Sequence, residues 1–275
     1  MLAEERKNFI CNIINEKKAV RVSELSKELQ ITEATVRRDL DELQNEKKIR
    51  RTHGGAVALY PAGINYVISE LSVERIEEKR LIAQKAYEYV DDLDTILMDG
   101  SSTVLELCKL IAAGNKKGLT VLTNAFSVVN VLAKRKDITV VHVGGVVKYE
   151  IDSSVGNIAE NTIRNLRVDK TFLGVNGVEV GYGYSITNFA EAAVKVEMIQ
   201  SAKQVFVLAD HSKFSVSYLA KIADFEGKVD YLITDKRRKS MDYTPYEENV
   251  NFIVADDGES VEKKIGPYNT ALFLL

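Results

Sequence analysis

Residues 22–57 read VSELSKELQITEATVRRDLDELQNEKKIRRTHGGAV, and the rest of the chain is best understood outward from them. Thr32 is a helix N-cap residue, because its hydroxyl can accept an N–H of the first turn. Behind it Val36, Leu40 and Leu43 recur at helical spacing, which predicts a helix over about 33–46 with one apolar face. Upstream, Ser23 reads as the N-cap of a short helix that buries Val22, Leu25 and Leu29, and Gln30-Ile31 form the tight turn between the two. Downstream, residues 48–59 alternate loosely around Gly54-Gly55, a two-residue hairpin signal because glycine accepts positive φ. Phe9, Ile10, Ile13 and Ile14 predict a first helix over about 3–16. Helix, helix, turn, helix and hairpin is the order of a winged helix-turn-helix.

The charge pattern fits a nucleic-acid surface at this end only. Residues 1–57 hold 12 Lys/Arg against 10 Asp/Glu, a net of +2, while the remainder is −5 within a chain total of −3. The positive charge is clustered in Lys47-Lys48-Ile49-Arg50-Arg51-Thr52-His53. Thr35, Arg37 and Arg38 lie off the apolar stripe near the start of the third helix, where a recognition helix meets base edges in the major groove. An arginine fork can make two hydrogen bonds to guanine, and Thr32 and Thr35 suit a phosphate or a thymine methyl. Arg50, Arg51, His53 and Gly54 form the wing, within reach of the neighbouring backbone or minor groove. The bland alternative is a solvated face on which Arg37 and Arg38 pair with Asp41 and Glu42.

At 275 residues the chain has room for two domains. Its 45% apolar and 28% charged content excludes disorder and collagen-like repeats, and no apolar run approaches the roughly 20 residues that span a bilayer. The start, MLAEERKN, has no apolar signal region, and two distant cysteines, Cys11 and Cys108, make no disulfide framework. A cytoplasmic protein is therefore expected, with both cysteines packed as small apolar residues. Histidines at 53, 142 and 211 are too few and scattered for a metal site, and His142 reads as a packed core residue. Neither metal nor cofactor is expected.

Residues 58–78, with Pro61 and Gly63, read as a linker. From 79 to 275 the rhythm changes. Short apolar runs at 93–98, 119–123, 138–143, 171–175, 205–209, 231–234 and 252–255 predict strands. Amphipathic segments at 79–91, 103–113, 125–135, 157–166, 189–202 and 259–265 predict helices. This alternation implies βαβ units and a mainly parallel sheet. Five polar clusters fall at or shortly after strand ends, the edge where open α/β sheets bind ligands. They are Asp99-Gly-Ser101-Ser102-Thr103; Asn124; Gly144-Gly145; Asn176 with Glu191 and Lys195; and Asp210-His-Ser-Lys213. Hydroxyls and free N–H groups at a helix start suit an anion. Each cluster also has a structural reading. Thr103 and Glu106 have capping-box spacing, Glu191 and Lys195 are an i, i+4 pair, and the others fit turns.

Thr32-Glu-Ala-Thr-Val-Arg-Arg-Asp-Leu40 and Arg51-Thr-His-Gly-Gly-Ala56 resemble the recognition helix and wing of the DeoR family of bacterial transcriptional repressors. The resemblance runs on to about residue 235, through Asp99–Thr103, Thr123-Asn124, Gly144-Gly145, Asp169–Gly177, Glu191–Lys195, Leu208–Lys213 and Ile233–Asp235. It implies an α/β sensor domain related in fold to ribose-5-phosphate isomerase and CoA transferases. It further implies operator DNA as partner and a phosphorylated sugar as effector. Phosphate would sit at Ser101–Thr103 with Lys213, and sugar hydroxyls at Asp99, Asn124, Asn176, Glu191 and Asp210. Asp39 matches the family's Asp and reads as orienting an arginine or capping. One departure is Ser101, where many relatives have glycine. A two-fold operator needs two winged helices at fixed spacing, so a homodimer or homotetramer is expected, with no membrane association. Two other functions fit the sequence less well: an aldose–ketose isomerase, which has no use for a winged helix, and an architectural DNA binder with a silent second domain.

Overall fold

The computed structural model describes residues 3–17, 19–46, 48–52, 54–58, 74–238 and 241–256. They fall into two compact units, one of the residues up to Glu74 together with Tyr149–Ile151, the other of the remainder from Arg75.

The first unit comprises α1 (Ala3–Lys17), β1 (Ala19–Arg21), α2 (Val22–Leu29), α3 (Glu33–Asn45), β2 (Ile49–Thr52) and β3 (Gly55–Ala58). Its core joins Ile10, Ile13 and Ile14 to Val22, Leu25, Val36, Leu40, Leu43 and Ile49. Phe9, expected on the inner face, is exposed. Ser23 does not cap α2. The chain runs from β1 directly into that helix, and the Glu24 carboxylate reaches back to the Arg21 N–H at 3.3 Å. Gln30 takes the left-handed conformation (φ 54°) at the turn, and Thr32 caps α3 by accepting from the Thr35 N–H. β1, which the sequence pattern did not announce, pairs with β3 and makes the wing three-stranded in the order β1-β3-β2. Thr52 pairs with Gly55, so Gly55 belongs to the strand rather than to the hairpin loop. Gly55 is required for closeness: a Cβ there would strike the Val20 carbonyl across the sheet.

The second unit opens with α4 (Ile76–Tyr87), which takes up the last residues of the expected linker. Its sheet strands are β4 (Thr95–Met98), β5 (Thr120–Thr123), β6 (Thr139–His142), β9 (Val168–Gly174), β12 (Ala202–Leu208), β14 (Tyr231–Thr234) and β15 (Asn251–Val254). All pair in parallel, in the order β15-β14-β12-β9-β4-β5-β6. The chain begins in the middle at β4, builds outward to β6, then crosses back to β9 and builds the other way. The order therefore reverses between β4 and β9. On one face Ile96, Met98, Val121, Phe172, Phe206 and Ile233 pack against α4, α5 (Ser102–Ala113) and α6 (Phe126–Leu132). α7 (Asn157–Arg164) packs on α8 (Phe189–Ser201), which lies against β9 and β12. The five inner strands are buried on both faces at their centres, which is why they read as unbroken apolar runs, while the edge strands β6 and β15 are not.

Several boundaries differ for stated reasons. Leu93 is exposed with φ 68°, so the first strand starts at Thr95. β9 starts three residues early because the Asp91 and Asp94 carboxylates meet the Lys170 ammonium at 2.6 and 2.7 Å and let it be buried. His142 is exposed on the sheet's edge strand, its ring tilted against Phe126, and is not a core residue. Cys108 is buried, but Cys11 only half so. Three features were not anticipated. One is the hairpin of β7 (Val146–Lys148) with β8 (Ser153–Val155). The second is an antiparallel sheet of β10 (Gly177–Glu179), β11 (Gly183–Ile186) and β13 (Ala220–Ala223). The third is α9 (Thr244–Asn249). The helix expected over 259–265 lies outside the described residues. Among the described residues no helix is long and apolar enough to cross a membrane.

Candidate functional site

In the first unit Thr32, Arg37 and Arg38 are exposed and Thr35 half-exposed on the N-terminal half of α3. The two threonine hydroxyls lie 3.0 Å apart. Neither arginine makes the pairing anticipated. Arg37 turns back to Glu33 at 2.7 Å, Asp41 is engaged by Arg51 at 3.0 Å, and Glu42 by Lys7 at 3.4 Å. Arg38 has no acidic partner among the described residues. Arg51 is only part-exposed. Its N–H donates to the Gln44 side chain at 2.8 Å, so it ties wing to helix. Arg50 stands in β2 and Gly54 is exposed at the hairpin tip, where its carbonyl accepts the Val22 N–H at 2.9 Å. His53 lies outside the described residues. Asp39 is buried and does orient an arginine, though one outside the motif. The Arg6 fork of α1 donates to both its oxygens at 2.6 and 2.9 Å. That bidentate pair fixes α3 against α1.

In the second unit the five clusters regroup into four along the C-terminal edge of the sheet, with Glu191 and Lys195 leaving Asn176 to join Asp99. The first sits where the strand order reverses. Asp99 at the end of β4 accepts the Gly174 N–H from the end of β9 at 2.8 Å and the Ser101 N–H at 2.9 Å. Its remaining partner is the Lys195 ammonium from α8, which also donates to the Gly174 carbonyl at 2.8 Å and meets Glu191 at 3.1 Å. Asp99 and Lys195 are both nearly inaccessible. Burial pulls Lys195 down, but the Asp99 and Glu191 carboxylates outweigh it and leave the ammonium above its ordinary value. A side chain at Gly174 would collide with Ser101. Ser101 is also the cap of α5: its hydroxyl accepts from the Val104 N–H at 3.4 Å. The capping box read at Thr103 and Glu106 is therefore not formed. Glu106 is buried and pairs with Lys109 at 2.6 Å. The N–H groups of Ser102 and Thr103, in the first turn, have no partner inside the helix.

Asn124 begins the second group. It is buried, and its amide donates to the Ser154 carbonyl of β8 at 2.8 Å, while its own Oδ1 has no hydrogen-bond partner among the described residues. A buried carbonyl without a donor is costly and marks a place for one. Gly144 is exposed, and Gly145 lets the chain pass close to the Val155 carbonyl. Asn176 stands in a third group, where its Oδ1 accepts the Thr187 N–H at 3.2 Å.

The fourth group follows β12. Asp210 is buried and accepts from the Ser212 N–H and hydroxyl at 2.9 and 2.5 Å, with Arg75 at 3.9 Å. Burial pushes its carboxyl up, but the Ser212 bond and the Lys213 and Arg75 charges outweigh it and hold it below the usual range. Lys213 is half-exposed and its ammonium has no carboxylate within ion-pair distance among the described residues. His211 donates its N–H to Asp235 at 2.7 Å, and its Nδ1 lies 2.7 Å from the other Asp235 oxygen. Glu78 brings a third oxygen within 4.8 Å of this pair. Sequence reasoning missed Ser154, Arg75 and Glu78, and gave Gly174, inside the family-like stretch 169–177, no role. Only a fold brings them in, since each acts through its backbone or from a distant element. Asp235 was quoted in a matching stretch without a role.

The family model described as "DeoR-like helix-turn-helix domain" matches residues 6–61, and "DeoR C terminal sensor domain" matches 74–236. The chain is 36% identical over 235 residues to the uncharacterized HTH-type transcriptional regulator YulB of Bacillus subtilis (strain 168), covering 86% of this chain and 90% of that one. It is 31% identical over 255 residues to the transcriptional repressor AccR of Agrobacterium fabrum, covering 92% and 98%. Among solved structures, a D-ribose-5-phosphate isomerase in complex with phospho-erythronic acid is similar over 52% of this chain and 56% of that one, at 17% identity and a TM-score of 0.39.

Proposed function

The chain belongs to the DeoR family of HTH-type transcriptional regulators, and from that premise we propose that it represses a carbohydrate operon in the cytoplasm until a phosphorylated sugar releases it. Residues 1–57 hold operator DNA through Thr32, Thr35, Arg37 and Arg38 of the recognition helix and through the wing. Residues 79–275 hold the effector, joined by 58–78. The observation that carries this reading is the anion-ready start of α5 at the sheet's reversal point, with two N–H groups unbonded within the helix and three hydroxyls. Further along the same edge stands Lys213, a cation unpaired among the described residues. Phosphate sits on Ser101, Ser102 and Thr103. The unsatisfied Asn124 carbonyl accepts from a sugar hydroxyl, as a buried acceptor needs a donor. Asp99 and Lys195 saturate one another, which supports a role in shaping the loop and argues for binding rather than isomerisation. The effector favours a conformation that fits the operator poorly, and a 100-fold release needs about 2.7 kcal/mol of differential binding. The working form is a homo-oligomer, since a two-fold operator takes two winged helices.

The test is fluorescence anisotropy of the gene's own upstream DNA with this protein, titrated with a panel of sugar phosphates and their parent sugars. Release by one phosphosugar and not by its parent sugar is expected. Specific binding unmoved by the whole panel would refute the effector reading. Turnover of any sugar phosphate would favour the isomerase instead.

A further inference from the structure

We propose that the exposed edge strand β6 is a two-fold contact between copies of this chain, pairing antiparallel with its own counterpart and centred on Val141. The strand ends the seven-stranded sheet and pairs only with β5 among the described residues. The Thr139 and Val143 N–H groups point inward, to the Leu119 and Thr123 carbonyls at 2.9 and 2.8 Å. Alternation therefore turns the N–H and C=O groups of Val140 and His142 to the open side. Sheet edges in solution are normally guarded by lysine, proline or a bulge. This one carries none of them. Thr139, Val141 and His142 are exposed, and the chain continues through Gly144-Gly145 into β7, whose Val146 and Val147 are exposed too. From Ile138 to Val147 there is no Asp, Glu, Lys or Arg.

The missing charge is what selects a second copy as the occupant. A strand paired with itself across a two-fold axis sets each side chain against a copy of its own neighbours, so any charge near the centre meets its like and repels it. A partner of different sequence would tolerate charges here and could match them. An uncharged, β-branched run is what self-pairing requires. The register follows from the open groups. Only centring on Val141 sets Val140 against His142 of the other copy twice over, engaging both outward residues of each strand. Val141 then faces Val141 of the other copy in a close, non-hydrogen-bonded pair, about 4.5 Å between Cα atoms, near enough for a disulfide. Thr139 faces Val143 of the other copy and stands about 13 Å from the second Thr139. This inference names the surface of the homo-oligomer in the proposed function but needs neither operator nor effector, so it can fail while the regulator reading stands.

The experiment uses the full chain. Val141→Cys under mild oxidation should migrate mostly as a covalent dimer without reductant, whereas Thr139→Cys and the unmodified chain, with Cys108 buried and Cys11 half-buried, should not. Val141→Lys should halve the sedimenting mass at micromolar concentration with an unchanged circular-dichroism spectrum. Leu93→Lys, at another exposed apolar position, should leave the mass unaltered. A monomeric wild-type chain overturns the proposal. So does a dimer that neither cross-links when it carries Val141→Cys nor dissociates when it carries Val141→Lys. Should Val141→Lys fail to fold, the cross-link alone decides.

Discussion

Replacing Lys195 by methionine tests the reversal-point site at its centre. The substitution keeps the side chain's length and removes its charge. Asp99 would keep the Ser101 and Gly174 N–H groups but lose its one cation in a position shut off from water. Removing one partner of a buried ion pair costs about 3–5 kcal/mol, mostly for the charge left behind. For a domain of this size that is a fall in Tm of about 6–20 °C. Asp99→Asn should cost less, because Lys195 keeps Glu191 and the Gly174 carbonyl. The double variant should be milder than the sum of the two single changes. The pH dependence has a definite sign. Lys195 is raised above the ordinary lysine value of 10.5. Its contribution is therefore complete below that value and disappears only as pH climbs through the folded-state pKa. Between about pH 6 and 9 the wild-type advantage should hold. Urea unfolding at several pH values measures all of this. A loss below about 1 kcal/mol at pH 7, or an Asp99→Asn variant worse than Lys195→Met, would refute the argument.

Further outcomes are expected elsewhere. Arg38→Ala should weaken operator binding by about 1–3 kcal/mol in anisotropy titrations; equal losses on operator and random DNA would mean that it touches only phosphate. Lys213→Ala should leave operator affinity intact and blunt the response to the phosphosugar, and an unchanged response would remove it from the site. Asp39→Ala takes both acceptors from the Arg6 fork, and should cost about 1.5–3 kcal/mol in thermal unfolding of the first unit. Burial pushes the Cys108 thiol up to about 12, so native protein at pH 8 should resist alkylation there by mass spectrometry while denatured protein reacts.

The periodic parts of the fold were legible because burial imposes them. Val36, Leu40 and Leu43 face one core, and the inner strands' apolar runs mark the part of the sheet covered on both sides. What escaped were elements whose reasons lie in other elements. β1 exists because β3 is there to pair with it, and its three residues carry no period of their own. β9 begins at Val168 because Asp91 and Asp94 neutralise Lys170, which no local pattern reveals. Ser23 looked like a cap, yet Glu24 supplies the backward bond and the helix starts earlier. His142 looked buried because it sits in an apolar run, but edge position is a property of sheet order. The candidate site residues were legible as residue types at strand ends. Their grouping was not, since Lys195 reaches Asp99 only after the chain has crossed the sheet.

That crossing also bears on how the protein is made. The winged helix is complete in chain order once β3 has been synthesised. Asp99, by contrast, waits for Gly174, 75 residues further on, and for Lys195, 96 residues on. At roughly 5–20 residues per second of synthesis, the nascent chain holds a finished winged helix for several seconds before β4 gains its second neighbour, β9. Loop closure over such separations is slow. A newborn chain is thus equipped to touch DNA before it is equipped to sense anything.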